Sequence, residues 1–364
     1  MSPEPMTLVE QIISHAAGQP ARAGDLVIVP VHRCMTHDSL TPEVIDALEN
    51  DLGVTQIQDP DRVAVIVDHV APASSVATAN AQVRVRRWVR AQGITRFYDV
   101  GAGICHQIMV EEGLVQPGEI ALGTDSHATA YGAIGALGTG VGTRDMALAL
   151  ASGHTWLRVP ETLRVQLHGR FRPGVGAKDL SLHLCGLLGL DGATYQAVEF
   201  HGGDWLTLDE RLTLAGMTTE LGAKAGIIPP TGVVAESLSV PDWLAVQEGA
   251  TYARTLDVDL DALAPLVAIP PEVDHVMPAA ELADVAVDQV FIGTCTNGRL
   301  SDLQIAAEIL AGHHIAAGVR LLVIPASHRI LQQATDDGTL ATLLRAGATV
   351  GTPGCGPCIG RHLG

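Results

Sequence analysis

Apolar and polar positions along the chain fall into short runs that read alternately as helix and strand. Thr7 and Glu10 frame the start of a first helix as a capping box; Leu8, Ile12 and Ile13 supply its apolar stripe, and Gly18 stops it. Asp25 to Val31 reads as a strand leading into Cys34-Met35-Thr36-His37-Asp38-Ser39. A helical stretch opens at Thr41-Pro42 and ends by Gly53. Three further strand patterns each run into polar groups. Val63 to Val67 ends in Asp68-His69, Arg96 to Val100 in Gly101-Ala-Gly-Ile-Cys-His106-Gln107, and Glu119 to Gly123 in Thr124-Asp125-Ser126-His127. A helix from about Ser74 to Ala91 separates the first two. Polar residues just after strands, with helices between, predict one rim of loops at the carboxyl edge of a parallel sheet.

The second half keeps the same rhythm. Leu163 to Leu167 alternates as a strand, Lys178 to Leu188 is helical with Cys185 in the core, and Tyr195 to His201 is a strand. Glu199 and His201 share a face there, as a catalytic pair or as an ion pair on an edge strand. Thr207 and Glu210 cap a helix carrying Met217, Glu220 and Lys224, and Glu220 with Lys224 could be an i, i+4 surface pair. Pro229 to Pro271 is proline-punctuated, and its end reads as a linker. Strand, helix, strand, helix, strand then follow at Val290 to Ile292, Ser301 to Leu310, Val319 to Ile324, Ser327 to Ala346 and Ala348 to Val350. The run Gly132 to Gly142 lacks both a phosphate-loop ending and the dinucleotide spacing. It reads as close backbone packing ahead of a helix from Arg144 to Ser152.

Two strands of that last series end in cysteine loops, Gly293-Thr-Cys295-Thr-Asn297 and Gly354-Cys355-Gly-Pro-Cys358-Ile-Gly360. Loops at one sheet edge can lie side by side although far apart in sequence. A closed zinc site or an ordinary iron–sulfur cluster takes four protein ligands, so three thiolates point to a cluster with one open metal. An open metal is a Lewis acid suited to removing hydroxide. A redox Cys-x-x-Cys and two buried thiols are the alternatives. Aspartate beside histidine is a natural acid–base pairing, because the carboxylate fixes the imidazole tautomer.

Composition narrows the field. The 364 residues are 47% hydrophobic and 17% charged, which describes a core-rich globular chain. A net charge of −18 disfavours a nucleic-acid surface, and the basic stretch Arg84 to Arg90 reads as a solvated helix face. Six cysteines suit a reducing, cytoplasmic setting without a disulfide framework. The chain shows neither a signal peptide nor an apolar run that could span a bilayer.

Taken together and in order, Asp68-His69, Gly101-Ala-Gly-Ile-Cys-His106-Gln107, Gly123-Thr-Asp125-Ser-His127, Gly293-Thr-Cys295-Thr-Asn297 and Gly354-Cys355-Gly-Pro-Cys358-Ile-Gly360 resemble the aconitase superfamily. The branch is that of the 3-isopropylmalate dehydratase and homoaconitase large subunits, from about Thr7 to Gly364. The resemblance implies an α/β, aconitase-like iron–sulfur fold. Its three α/β/α domains, with largely parallel sheets, fall at residues 1–158, 159–270 and 271–364, the last incomplete. It implies that Cys295, Cys355 and Cys358 hold a [4Fe–4S] cluster with one open iron, and that Asp68 and His69 protonate the departing hydroxyl. It further implies that His106 with Asp125, and His127 with Glu220, are the other acid–base pairs, that Ser126 bonds substrate, and that Glu199 and His201 are not catalytic.

The implied reaction dehydrates a 2-hydroxy di- or tricarboxylate and rehydrates it on the neighbouring carbon. The two candidates are 2- to 3-isopropylmalate (leucine biosynthesis) and homocitrate to homoisocitrate (lysine biosynthesis). The implied partner is a small swivel-domain subunit carrying a serine base. Two departures stand out: Gly216 occupies a position where the family commonly has asparagine, and Gly364 falls before the family's segment of carboxylate-binding arginines. These keep an inactive truncated subunit in view, while the charge argues against an RNA-binding regulator.

Overall fold

The computed structural model describes residues 4–361. The outermost ends of the first and third expected segments lie outside this range. The chain forms two compact units, each built from two stretches. Met1–Cys34 joins Val115–Ala283 in the first, and Met35–Leu114 joins Asp284–Gly364 in the second. This grouping by compactness is a different partition from three consecutive segments.

The first unit is organised by a four-stranded parallel sheet in the order Ala225–Ile227, Ala197–His201, Thr162–His168, Arg254–Asp259. Helices Ala177–Leu188 and Leu208–Met217 are the crossovers between successive strands, as parallel pairing requires. Leu163, Val165 and Leu167 alternate along their strand into one core with Leu180, Leu184, Cys185, Val198 and Phe200. A second core gathers Leu8, Val9, Ile12 and Ile13 of helix Leu8–Ala17 against Val27, Ile120, Ala197 and Ile227. The capping box of Thr7 and Glu10 forms as the sequence predicts, and Gly18 ends the helix in the left-handed region.

Four expectations in this unit need correction. The strand Ala197–His201 is interior, not an edge. Within the glycine run a short strand, Leu137–Gly140, pairs with Ile120–Gly123. Its small side chains hide it from a pattern search. The capped helix stops at Met217, so Glu220 sits in a 3-10 turn and Lys224 lies beyond it; they are not an i, i+4 pair. The proline-punctuated segment contributes Arg254–Asp259 to the sheet, and its end forms an antiparallel hairpin, Leu266–Ala268 with Val276–Pro278. Close backbone packing does occur at the glycines. A Cβ on Gly132 would stand 1.6 Å from the Gly226 carbonyl oxygen, so only glycine lets the 3-10 helix Ser126–Ile134 lie against strand Ala225–Ile227.

The second unit carries a three-stranded parallel sheet, Gln289–Ile292, Arg320–Val323 and Thr349–Val350 in that order. Leu303, Ala307, Ile330, Ala334 and Leu343 pack from its helices with Ile104, Leu321 and Val323 into one core. The helical pattern from Ser327 to Ala346 is two helices, His328–Asp336 and Thr339–Ala346. They break at Gly338, whose φ of +85° no continuing helix adopts. Val63–Ile66 and Arg96–Tyr98 pair in parallel in the same unit, with helix Val76–Gln92 as their crossover. No helix of the described residues is long and apolar enough to cross a membrane.

Candidate active site

In the second unit the site is built on loops that leave parallel strands. Val63–Ile66 delivers Asp68 and His69, both buried. The Asp68 carboxylate lies 2.8 Å from His69 Nδ1 and accepts the Cys105 N–H at 2.7 Å through its other oxygen. Burial would raise the Asp68 carboxyl. The charge and hydrogen bond of His69, then His37 and the Cys105 N–H, outweigh it and hold the group below the usual carboxylate range.

The turn itself rests on Asp38. Its carboxylate accepts the N–H groups of Asp68, His69 and Val70 at 3.1, 2.8 and 3.1 Å. Burial and the charge of Asp68 push Asp38 upward, offset in part by those N–H groups. His37 stacks on His69 with ring centroids 3.7 Å apart. Sequence reasoning assigned His37 and Asp38 no role. The available signal was their position, since His37 closes strand Arg33–His37 and Asp38 leaves it, close to how Asp68-His69 leaves Val63–Ile66.

The cysteine loops belong to the same unit. Cys295 follows strand Gln289–Ile292 and Cys355 follows strand Thr349–Val350, at the same edge of one parallel sheet. Cys355 N–H donates to the Asp68 carbonyl at 2.8 Å, and its Sγ lies 4.0 Å from Asp68 Oδ2. A Cβ on Gly354 would come within 2.6 Å of that carbonyl oxygen, so the contact demands glycine. Cys358 follows in a 3-10 turn and is exposed.

Cys295 is presented by strained backbone. Thr294, a β-branched residue, has φ +73°, and its Oγ1 accepts the Thr296 N–H at 3.1 Å. Buried Arg299 grips this loop through the Cys295 and Thr296 carbonyls and donates to Gln107 Oε1. Sequence reasoning missed Arg299 as well. Its bond to Gln107 joins residues 192 positions apart, which no local pattern encodes. His106 stands buried on helix Cys105–Glu111, directly after the residue that donates to Asp68.

His37, Asp38, Asp68 and His69 each offer a ligand atom, all within 4.8 Å of one another, a grouping able to hold a metal ion. The three cysteines form no such group among the described residues. A four-iron cube is larger than one ion, and its ligand sulfurs stand correspondingly farther apart. None of the six cysteines is in a disulfide among the described residues. Three thiols on two loops of one sheet edge fit the donor chemistry of an iron–sulfur cluster.

In the first unit, His127 lies between two carboxylates. Its Nδ1 is 3.3 Å from Asp125 Oδ1 and its Nε2 3.4 Å from Glu220 Oε1. Asp125 also caps the 3-10 helix Ser126–Ile134 by accepting the His127 N–H at 2.7 Å. The hydrogen bond with His127 holds the Glu220 carboxyl below its ordinary value; burial opposes it, and Lys178 helps. Gly216 leaves ordinary packing room: a Cβ there would meet Ala130 at 3.5 Å. Glu199 is fully buried and accepts the Leu8 N–H at 3.0 Å, Tyr252 O–H at 3.0 Å and His201 Nε2 at 2.7 Å. That pair pins the amino end of the first helix, which accounts for its position on one strand face.

The aconitase family (aconitate hydratase) profile matches residues 10–363. The chain is 54% identical over 359 residues to a 3-isopropylmalate dehydratase large subunit of Herpetosiphon aurantiacus, covering 98% of this chain and 85% of that one. It is 53% identical to a homoaconitase large subunit of Thermus thermophilus, covering 98% and 86%. Among solved structures, a Thermococcus kodakaraensis aconitase X (holo-form) matches with a TM-score of 0.57 at 14% identity, over 96% of this chain and 84% of that one, which shows the α/β fold. The chain therefore belongs to the aconitase family and is a hydro-lyase of that family, most similar to its 3-isopropylmalate dehydratase and homoaconitase large subunits.

Proposed function

We propose that the chain is the large subunit of a dehydratase that converts 2-isopropylmalate to 3-isopropylmalate by removing water and returning it on the neighbouring carbon. The observation that carries this reading is the buried Asp68–His69 pair hydrogen-bonded to the Cys355 loop, an acid–base couple beside a thiol. Cys295, Cys355 and Cys358 would hold a [4Fe–4S] cluster whose Lewis acidity favours loss of hydroxide from carbon. Asp68 accepts from His69 Nδ1, which leaves Nε2 as the atom that delivers a proton to the departing hydroxyl. Arg299 and the Thr294 turn keep the Cys295 sulfur in a fixed direction. His127, set between Asp125 and Glu220, can relay a proton from one carboxylate to the other, with Ser126 between Asp125 and His127 in the chain. A small subunit would supply the base that abstracts the carbon-bound proton.

The second reading is homocitrate–homoisocitrate conversion. It is favoured by the Thermus homoaconitase relative, whose identity is within one percentage point of the dehydratase's. The test is to reconstitute the cluster anaerobically, add the small subunit, and follow ultraviolet absorbance of the unsaturated intermediate with each substrate. A signal with 2-isopropylmalate alone supports the first reading, and one with homocitrate alone supports the second. Silence with both rejects the two together.

A further inference from the structure

The first unit contains a cavity of about 360 Å³ that none of the acid–base roles uses. Thr124, Ser126, Thr139, Gly142, Thr219 and Lys224 are among the residues lining it. Two of them make the same chemical demand. Lys224 brings an ammonium with three donors, of which one goes to the Gly140 carbonyl at 3.1 Å. Among the described residues it makes no ion pair; Asp145 acts on it only as a more distant charge. Burial lowers the pKa of this ammonium, so an anion placed against it would hold it in the charged form. Thr139 is 1% exposed, and its Oγ1 has no hydrogen-bond partner among the described residues. A buried hydroxyl left so is costly, and Thr139 lines the cavity. Gly142 begins the ten-residue helix Thr143–Ser152 without a side-chain cap hydrogen bond, and Asp145 stands in its first turn.

We propose that this cavity is a carboxylate subsite, with Lys224 as counter-charge and Thr139 as hydroxyl donor, taking one carboxylate of the hydroxydicarboxylate substrate. The substrate class rests on the function proposed above; the anion chemistry does not. Ser126 lines the same cavity and is flanked in sequence by Asp125 and His127, so an anion held here lies alongside the residues of the acid–base set. Lys224 is held in place by the Gly140 carbonyl and by the Tyr195 ring 5.9 Å from its Nζ. The subsite is thus built before ligand arrives.

The experiment has two arms. In the first, the purified chain is titrated calorimetrically with malonate and with 2-isopropylmalate, using wild type, Lys224→Met, Lys224→Arg and Thr139→Val. We expect at least tenfold weaker binding for Lys224→Met, about threefold for Thr139→Val, and recovery to near wild type for Lys224→Arg. The uncharged diamide of malonate should bind wild type and Lys224→Met equally. In the second arm, KM is measured in the cluster-loaded complex with the small subunit, and Lys224→Met should raise it at least tenfold. Binding by Lys224→Met and Thr139→Val within twofold of wild type overturns the subsite. Absence of turnover in wild type overturns the proposed function, and the malonate titration then still decides the subsite. If Lys224→Met fails to fold, Thr139→Val, an isosteric change, decides.

Discussion

Asp38 and Glu220 show how much one carboxylate can do when its partners are fixed. Asp38 satisfies three successive N–H groups and so sets the direction of Asp68 and His69. Glu220 does the reverse, since its own protonation is governed by His127. Because its carboxyl lies below the ordinary value, the folded chain gives up that proton more readily than the unfolded chain does. The contribution to stability is complete above the ordinary glutamate value of about 4.3 and is lost as pH falls through the folded value. We expect Glu220→Gln to flatten the acid side of a urea-unfolding series between pH 6 and pH 3. The pair is half-exposed, so the difference should stay under about 1 kcal/mol. Parallel wild-type and variant profiles would refute the coupling. At this scale the sequence was informative where chemistry is local, as with Asp68 beside His69. It was silent where a partner comes from elsewhere, because nothing near Asp38 announces that the turn thirty residues on will close over it.

Among elements, the 3-10 helix Ser126–Ile134 carries the most constrained contact. It lies so close to strand Ala225–Ile227 that no side chain fits at Gly132. Gly132→Ala should cost about 3 kcal/mol through overpacking. Gly176→Ala, where a Cβ meets nothing within 4 Å, should change stability by less than about 0.5 kcal/mol. Denaturant midpoints of the two variants check this, and equal midpoints would show that the helix slides freely. Helix starts were readable because capping is written in consecutive residues, as at Thr7 and Thr207. The break at Gly338 was passed over although a glycine after Asp337 is a stop signal, and Ile330 and Ala334 do not continue in phase to Leu343 and Ala346. Leu137–Gly140 has too few side chains to show a period of two.

For the molecule as a whole, the six thiols fall into two populations. Cys34, Cys105 and Cys185 are buried, and burial, with Glu220 and Asp274 adding and Lys178 opposing, pushes the Cys185 thiol up to about 11. Cys295 and Cys355 are half-buried and Cys358 is exposed. Alkylation of the native apo chain at pH 8 should mark Cys358 fastest, then Cys295 and Cys355, with Cys185 protected until denaturant is added. Loading the cluster should protect all three reactive thiols together. Labelling of Cys358 that survives full iron and sulfide incorporation would remove it from the ligand set.

The interleaving of the two units also has a consequence for how the protein is made. The core of the second unit takes Ile104 from its first stretch and Leu303 to Ala348 from its second. The Asp68 turn likewise depends on the N–H of Cys355. On a ribosome adding about 5–20 residues per second, Ile104 emerges roughly twelve to fifty seconds before its last neighbours. Throughout that interval the nascent chain carries an unpaired apolar surface and an unclosed acid–base turn, the kind of exposure that holding chaperones recognise.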